Sequence, residues 1–192
     1  DGSGLLFSTY LGGNNADQGT GIAVDAVGSV YISGSTLSIN FPVSLFAHDK
    51  TWSFGTQVGD GFVTKLANDG GSVLFSTFAG GSGDDLALKI GIDTQLNVYV
   101  AGWTRSSSLD FPINNGFQVV YGGNVGGDLG DAFLIRYNST LSGIAYATYL
   151  GGASNDGASS IAVDAATGKA YICGLARSGF PTKALAASNG IK

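Results

Sequence analysis

The sequence predicts an all-β protein made of repeated four-stranded antiparallel units, and three observations lead to that prediction. A short phrase occurs three times, as LFSTYLGG at 6–13, LFSTFAGG at 74–81 and YATYLGG at 146–152. The residues between its copies form short runs rich in β-branched and aromatic side chains, separated by turns that contain glycine, which is typical of strands. No segment shows the 3.6-residue period of an amphipathic helix.

Other short motifs recur with nearly the same spacing as the phrase. The aromatic residue of the phrase stands at Tyr10, Phe78 and Tyr149, at offsets of 68 and 71 residues. A Phe-Pro dipeptide recurs at 41–42, 111–112 and 180–181, and a Gly-Asp dipeptide at 59–60 and 130–131. The period is therefore about 70 residues, and a repeat of this kind indicates an array of similar structural units.

One complete period predicts four strands. The first is GDGFVTKLA at 59–67. It is followed by NDGG at 68–71, a turn built from residues that tolerate a positive φ angle. The second strand is SVLFSTFAGG at 72–81, the third is ALKIGID at 87–93, and the fourth is NVYVAGWT at 97–104.

Four short antiparallel strands per repeat form the blade of a β-propeller. A single blade has two apolar faces, and each copy buries the faces of its neighbours. The predicted blades, each with its linker, are residues 1–58, 59–129 and 130–192. Together they make one propeller domain or part of one.

The predicted array is incomplete. The chain begins in the turn before the second strand of its first blade, so that blade lacks the strand predicted to be innermost. About three blades are fewer than the roughly four to eight that close a ring. The expected partners are therefore other blades of a larger chain or identical copies of this one.

The motifs together resemble a known family. They read GD-x-F-[VL]-x-[KR], ST[YF]-x-GG-x-x-x-x-D, I-[AG]-[VI]-D, [VA]Y-[IV]-x-G and FP. This pattern resembles the SBBP-type β-propeller repeats of bacterial and archaeal surface or secreted proteins, and residues 22–34 also resemble an NHL propeller repeat. The resemblance implies a propeller fold and an extracellular or cell-surface location, but it implies no particular activity.

Composition restricts the partners. The net charge is -5, and the nine Lys and Arg residues are scattered, which argues against a nucleic-acid partner. No run of 18 apolar residues is present, so no membrane-spanning helix is expected. Charged residues make up only 12% of the chain, and there is no Met, which favours a processed, secreted protein or a piece of a longer one.

Acidic loops follow each copy of the phrase and are candidate calcium sites. The equivalent residues are Asp17, Asp85 and Asp156, and Asp84 precedes the second of them. Carboxylate oxygens are ligands that Ca²⁺ prefers. The alternative is that each Asp caps its own tight loop by accepting backbone N–H groups.

Asp60 and Asp131 open the predicted innermost strands and would lie at the channel mouth. There they would bind a cation or act in acid–base chemistry. The alternative is a hydrogen bond from a backbone amide that ties neighbouring blades together.

The linkers after Phe-Pro are the least repetitive segments. Their aromatic residues Trp52, Phe54, Phe117 and Tyr121 would stack on sugar rings or anchor a partner if they are exposed. Alternatively, the linkers fold back and cover the edge of a blade.

Asn138 begins an Asn-Ser-Thr sequon in the turn between two predicted strands. Such a sequon accepts an N-linked glycan in a secreted protein, so Asn138 is a candidate for glycosylation.

Three functions remain open at this point. The first is a non-catalytic extracellular module for structure, self-assembly or adhesion. The second is a carbohydrate-binding propeller that uses the linker aromatics and contacts glycans. The third is an enzyme with its site at the channel mouth, built on Asp60 and Asp131.

Overall fold

Ten strands form three antiparallel sheets in the computed structural model, which describes residues 3–53, 58–123 and 130–182. The first sheet contains β1 (Asp17–Val24), β2 (Val30–Thr36), β3 (Asp60–Leu66) and β4 (Val73–Ala79) in that order. The second contains β5 (Asp85–Ile92), β6 (Val98–Thr104), β7 (Asp131–Tyr137) and β8 (Ile144–Leu150). The third contains β9 (Gly157–Asp164) and β10 (Lys169–Leu175).

This architecture confirms the prediction of an all-β fold with four-stranded antiparallel sheets like those of a propeller. Strand β5 contacts both β1 and β9, so the first strand of each sheet lies on the inner side of the array. The fourth strands, β4 and β8, lie on the outer side. Within the described part of the chain, no helix is long and apolar enough to cross a membrane.

The prediction of which strands share a blade was wrong. The strands predicted at 59–67 and 72–81 are β3 and β4 of the first sheet, whereas those at 87–93 and 97–104 begin the second sheet. The linker after each Phe-Pro dipeptide brings the chain back beside the strand that precedes that dipeptide. In the first sheet, Thr36 of β2 therefore pairs with Asp60 of β3. A sheet therefore combines the last two strands of one repeat with the first two of the next.

Two consequences correct the predicted blade order. The innermost strand is the third strand of the predicted unit, represented by β1, β5 and β9, and not its first strand. The first sheet is complete, and the sheet with only two strands in the described residues is the third. Residues 6–13, the first copy of the phrase, form no strand, and Leu6 and Tyr10 are fully exposed.

The repeated aromatic positions meet in one cluster in each of the first two sheets. In the first sheet the rings of Phe41 and Phe62 are 4.4 Å apart, and Phe78 joins them. The second sheet contains an equivalent group in which Phe111 lies 5.4 Å from Phe133 and 4.9 Å from Tyr149. The Phe-Pro dipeptide, the Gly-Asp-x-Phe strand and the phrase each supply one of these rings. Because the three motifs build one aromatic cluster, they recur together.

The Gly of the Gly-Asp dipeptide has a conformational role. Gly59 has a φ angle of 72°, and a Cβ atom on it would lie 2.1 Å from the carbonyl oxygen of Thr36. Its repeat equivalent Gly130 also has a positive φ angle, and its Cβ would lie 1.9 Å from the Thr104 oxygen. Glycine is the residue that adopts this conformation without a steric penalty.

We expect Phe133→Ala to lower the free energy of unfolding by about 3–5 kcal/mol, since it removes a buried ring from the centre of a packed cluster. Phe46→Ala is the matched control, because Phe46 is 79% exposed, and we expect a change within about 0.5 kcal/mol. Urea unfolding followed by tryptophan fluorescence measures both. Equal effects of the two substitutions would contradict this assignment of the core.

Candidate functional site

The three loop aspartates make the same hydrogen bond in each repeat. In each case the amide of the second glycine in the Gly-Gly pair donates to the carboxylate four residues later. The distances are 2.8 Å at Asp17, 2.9 Å at Asp85 and 2.7 Å at Asp156. These are the hydrogen bonds of the loop-capping alternative.

A hydroxyl or amide from the loop after the second strand also donates to each of these aspartates. The Ser106 hydroxyl donates to Asp85 at 2.8 Å, and the backbone amide of Arg177 donates to Asp156 at 2.6 Å. In the described ranges no group of three or more His, Cys, Asp or Glu side chains is arranged to hold a metal ion. Calcium binding therefore stays a prediction without a described ligand cluster.

Asp84 links the first sheet to the second. Its carboxylate accepts the Val58 amide at 3.0 Å and also forms an ion pair with Arg105 at 3.0 Å. Val58 belongs to the linker that leads into the first sheet, whereas Asp84 directly precedes the inner strand of the second. The contacts assign Asp84 a role in fixing two sheets together.

Asp60 and Asp131 secure the linkers that precede them. The Ser53 amide donates to Asp60 at 2.6 Å, and the Gly122 amide donates to Asp131 at 2.8 Å. Both residues are buried at the start of the third strand in their sheets. They are therefore not on the inner strands, where the channel-mouth hypothesis placed them.

Burial strongly affects the acidity of these groups. Desolvation raises the pKa of Asp60 to about 8, that of Asp85 to about 7 and that of Asp131 to about 6. Each of these residues has a buried Oδ1 atom without a hydrogen-bond partner among the described residues. A proton on the carboxyl group removes the cost of an ionised group in this setting.

The structure does not bring together the three predicted aromatic binding residues that it describes, Trp52, Phe117 and Tyr121. Trp52 packs against the aromatic cluster of the first sheet and donates its indole N–H to the Thr36 carbonyl at 3.4 Å. Tyr121 packs against Tyr149 of the second sheet, with ring centroids 5.6 Å apart. Phe117 is exposed, and Phe54 lies outside the described residues. The placement of Trp52 and Tyr121 follows the alternative in which the linkers cover a sheet.

Asn138 lies in the turn between β7 and β8 and stabilises it. Its side-chain oxygen accepts the Ser142 amide at 3.0 Å and the Thr140 hydroxyl at 3.1 Å. The side-chain amide donates to the Ser142 hydroxyl at 3.1 Å. Glycosylation of Asn138 stays a prediction.

A repeated arrangement of Asp, Tyr and a basic residue was missed in the sequence. Lys65 lies 3.2 Å from the carboxylate of Asp25 and 4.7 Å from the ring centre of Tyr31. The second sheet repeats this arrangement with Arg136, which lies 3.7 Å from the Asp93 carboxylate and over the Tyr99 ring. The sequence feature that indicates this arrangement is the Lys or Arg that follows the Gly-Asp-x-Phe motif.

The third sheet presents an open surface at one end of the array. Tyr171 is equivalent to Tyr31 and Tyr99, which are fully buried, yet it is 61% exposed. Cys173 and Leu175 alternate with it on β10 and are exposed on the same side. We call the surface of these three residues the back face of the third sheet.

The first sheet presents an open surface at the opposite end. Ile22 is 70% exposed and Val24 is 57% exposed on β1. Their equivalents in the second sheet, Ile90 and Ile92, pack in the main core. We call the surface of Ile22, Val24 and Ile32 the front face of the first sheet.

Comparisons with known proteins agree with the fold. Residues 6–42 match the family model described as SBBP, a β-propeller repeat. The matched segment runs from the phrase through β1 and β2 to the first Phe-Pro dipeptide. It confirms the resemblance that the repeated motifs indicated. A search of curated proteins finds no match.

We expect Asp60→Asn to weaken the pH dependence of stability between about pH 4 and 8. An unfolded aspartate has a pKa of about 3.9, so over this interval the folded state holds a proton that the unfolded state has released. The free energy of unfolding therefore falls as pH rises, by at most about 1.4 kcal/mol per pH unit for this group. The loss is complete above the folded pKa of about 8.

Urea unfolding of the wild type and the variant over this pH interval gives the free energy of unfolding at each pH. The difference between the two pH dependences is the contribution of Asp60, separate from those of Asp85 and Asp131. Asp69→Asn is the control, since Asp69 lies in an exposed turn. A slope in Asp60→Asn as steep as that of the wild type would show that Asp60 does not hold its proton in the folded state.

Proposed function

Since residues 6–42 match the family model of an SBBP β-propeller repeat, we propose that the chain is a non-catalytic extracellular structural module that assembles with further blades. Those blades belong to a larger chain or to identical copies. One observation carries this proposal: the two ends of the array expose the same two apolar faces that its own sheets bury against each other.

The internal interfaces show how consecutive sheets recognise one another. Tyr31 of the first sheet and Ile90 of the second pack in one cluster. In the next interface Ala101 packs with Ile161 of the third sheet. The Tyr99 hydroxyl also donates to the carbonyl of Gly168 at 3.0 Å. Each interface therefore places the tyrosine side of one sheet against the isoleucine side of the next.

The open ends carry the two halves of this same interface. The back face of the third sheet presents Tyr171, and the front face of the first sheet presents Ile22 and Val24. Contact between the two faces would repeat the geometry already present twice inside the chain. Burial of exposed apolar surface stabilises such a contact by roughly 25 cal/mol per Å².

The proposed contact is head-to-tail, because two different faces meet. Head-to-tail contacts generate a closed ring when the rotation closes and an open filament when it does not. A propeller ring holds roughly four to eight blades, so two copies of a three-sheet array fall within that range. Low charge and a high glycine content support an exported structural protein, as does the surface and secreted occurrence that the family resemblance implies.

We expect the chain to self-associate with rising concentration, and we expect Ile22→Glu to abolish the association because it buries an unpaired carboxylate in the contact. Leu109→Glu is the control, because Leu109 is fully exposed in a linker and outside both faces. Sedimentation velocity gives the masses, with 19.4 kDa for the single chain. A wild-type chain that stays at this mass at all concentrations would overturn the proposal, as would unchanged association of Ile22→Glu.

A further inference from the structure

The third position of a sheet is filled by the same kind of strand in both complete sheets. Strands β3 and β7 both carry the pattern Asp-x-Phe-x-x-Lys/Arg. Their register is also the same. Phe62 pairs with Gly34 of β2, and Phe133 pairs with Gly102 of β6. The basic residue pairs with a tyrosine in each sheet, Lys65 with Tyr31 and Arg136 with Tyr99.

Strand β10 is the equivalent of β2 and β6, the strands with which β3 and β7 pair. Gly174 corresponds to Gly34 and Gly102, and a Cβ atom on it would lie 2.0 Å from the carbonyl oxygen of Gly157. The other two glycines approach the inner strand as closely. A Cβ atom on Gly34 would lie 1.9 Å from the carbonyl oxygen of Gln18, and one on Gly102 would lie 1.8 Å from that of Leu86. β10 pairs with β9 along one edge. Along its other edge no strand of the described residues is paired.

A cavity lies where the phenylalanine of a third strand would enter. It has a volume of about 200 Å³ and lies between the second and third sheets, with Ala132, Leu150, Ile172, Gly174 and Phe180 in its lining. Phe180 is the aromatic residue of the third Phe-Pro dipeptide, equivalent to Phe41 and Phe111. An apolar cavity of about 150 Å³ is large enough to hold benzene, so a phenyl ring fits this space.

On the back face of the same edge, an acidic residue and an aromatic ring are placed for a cation. Asp164 and Tyr171 are equivalent to the Asp25–Tyr31 and Asp93–Tyr99 pairs that hold Lys65 and Arg136. In the third sheet the Thr167 hydroxyl donates to the Asp164 carboxylate at 2.6 Å. Tyr171 remains 61% exposed, without a cation over its ring among the described residues.

From this equivalence we propose that the edge of β10 with which no described strand pairs is a docking slot for an antiparallel strand of the pattern Asp-x-Phe-x-x-Lys/Arg. The phenylalanine enters the cavity beside Phe180, and the basic side chain lies over Tyr171 and pairs with Asp164. Both strands of this pattern in the 192 residues already lie within the first two sheets. The occupant is therefore a further strand of this pattern, in addition to β3 and β7.

The inference rests on the proposed assembly function and names the partner at one of its surfaces. Backbone hydrogen bonds along a free edge supply affinity for any extended chain, and side-chain pockets on alternate residues supply selectivity. The slot has two such determinants on opposite sides of the sheet, an apolar cavity and an acidic group. A strand must satisfy both in one register, which excludes an arbitrary edge pairing.

The test is binding of a synthetic peptide of residues 59–80, which contains one strand of the required pattern followed by the phrase strand. The protein is the full chain with Ile22→Glu, in which the proposed face-to-face contact is disabled. A dye at the peptide N-terminus reports binding by fluorescence anisotropy. Hydrogen exchange then locates the bound peptide by the protection that it gives to amides of β10.

We expect saturable binding that Phe62→Ala in the peptide weakens by roughly tenfold or more, since it empties the cavity. Lys65→Asp in the peptide also weakens binding, and Asp164→Lys in the protein restores the affinity of that peptide by reversing both charges. Asp69→Asn in the turn of the peptide is the matched control and leaves the affinity unchanged.

Absence of binding, or equal affinity of the Phe62→Ala and unchanged peptides, would overturn the slot. If the peptide does not bind, but the wild-type chain self-associates and Ile22→Glu does not, the proposed function stands while this inference fails. Binding of the peptide by a chain that never self-associates gives the opposite result, in which the slot stands and face-to-face assembly fails.

Discussion

Each sheet in this protein has two apolar faces, and the need to cover both of them is the constraint on which the rest of the structure depends. Both faces of the second sheet have a neighbour, since its isoleucine side lies against the first sheet and its tyrosine side against the third. The glycine-rich strands suit this arrangement, because the sheets approach closely. The Cβ of a residue at Gly91 would meet Val163 at 2.6 Å. Each pair of stacked sheets thus buries an apolar cluster of its own, and a sheet at either end exposes the face that it would otherwise bury.

The acidic residues serve this stacking in a way that their abundance alone would not suggest. Most of them do not form clusters but accept hydrogen bonds from backbone amides of loops and linkers, as Asp17, Asp85 and Asp156 do in the same loop of three repeats. A carboxylate can accept several such bonds at once, which makes aspartate suited to hold a tight loop. Where a carboxyl group is buried without enough donors, as at Asp60, desolvation raises its pKa to about 8.

The sequence contained enough information to predict the strands but not the way in which they are grouped. Alternation and turn residues determine where a strand begins and ends, and the positions of β3 to β6 agree with the predictions. A repeat in sequence has no intrinsic starting point, so the period cannot show which strands share hydrogen bonds. The linker after Phe-Pro decides that question through long-range contacts, such as the hydrogen bond from the Trp52 indole to Thr36. The same contacts explain why Trp52 is not free to act as an exposed binding residue.

The offset between repeat and sheet changes how the array is held together. If each repeat formed its own sheet, neighbouring repeats would touch only through side chains. Here β2 and β3 belong to consecutive repeats, yet they share a full ladder of backbone hydrogen bonds from Val30–Leu66 to Thr36–Asp60. Every repeat is thereby joined to the next by a sheet as well as by a core, which increases the cooperativity of the array. The same offset leaves residues 6–13, which carry the phrase of an outermost strand, without a sheet of their own. A strand that lies between β10 of one array and residues 6–13 of another is the element that would connect the two arrays.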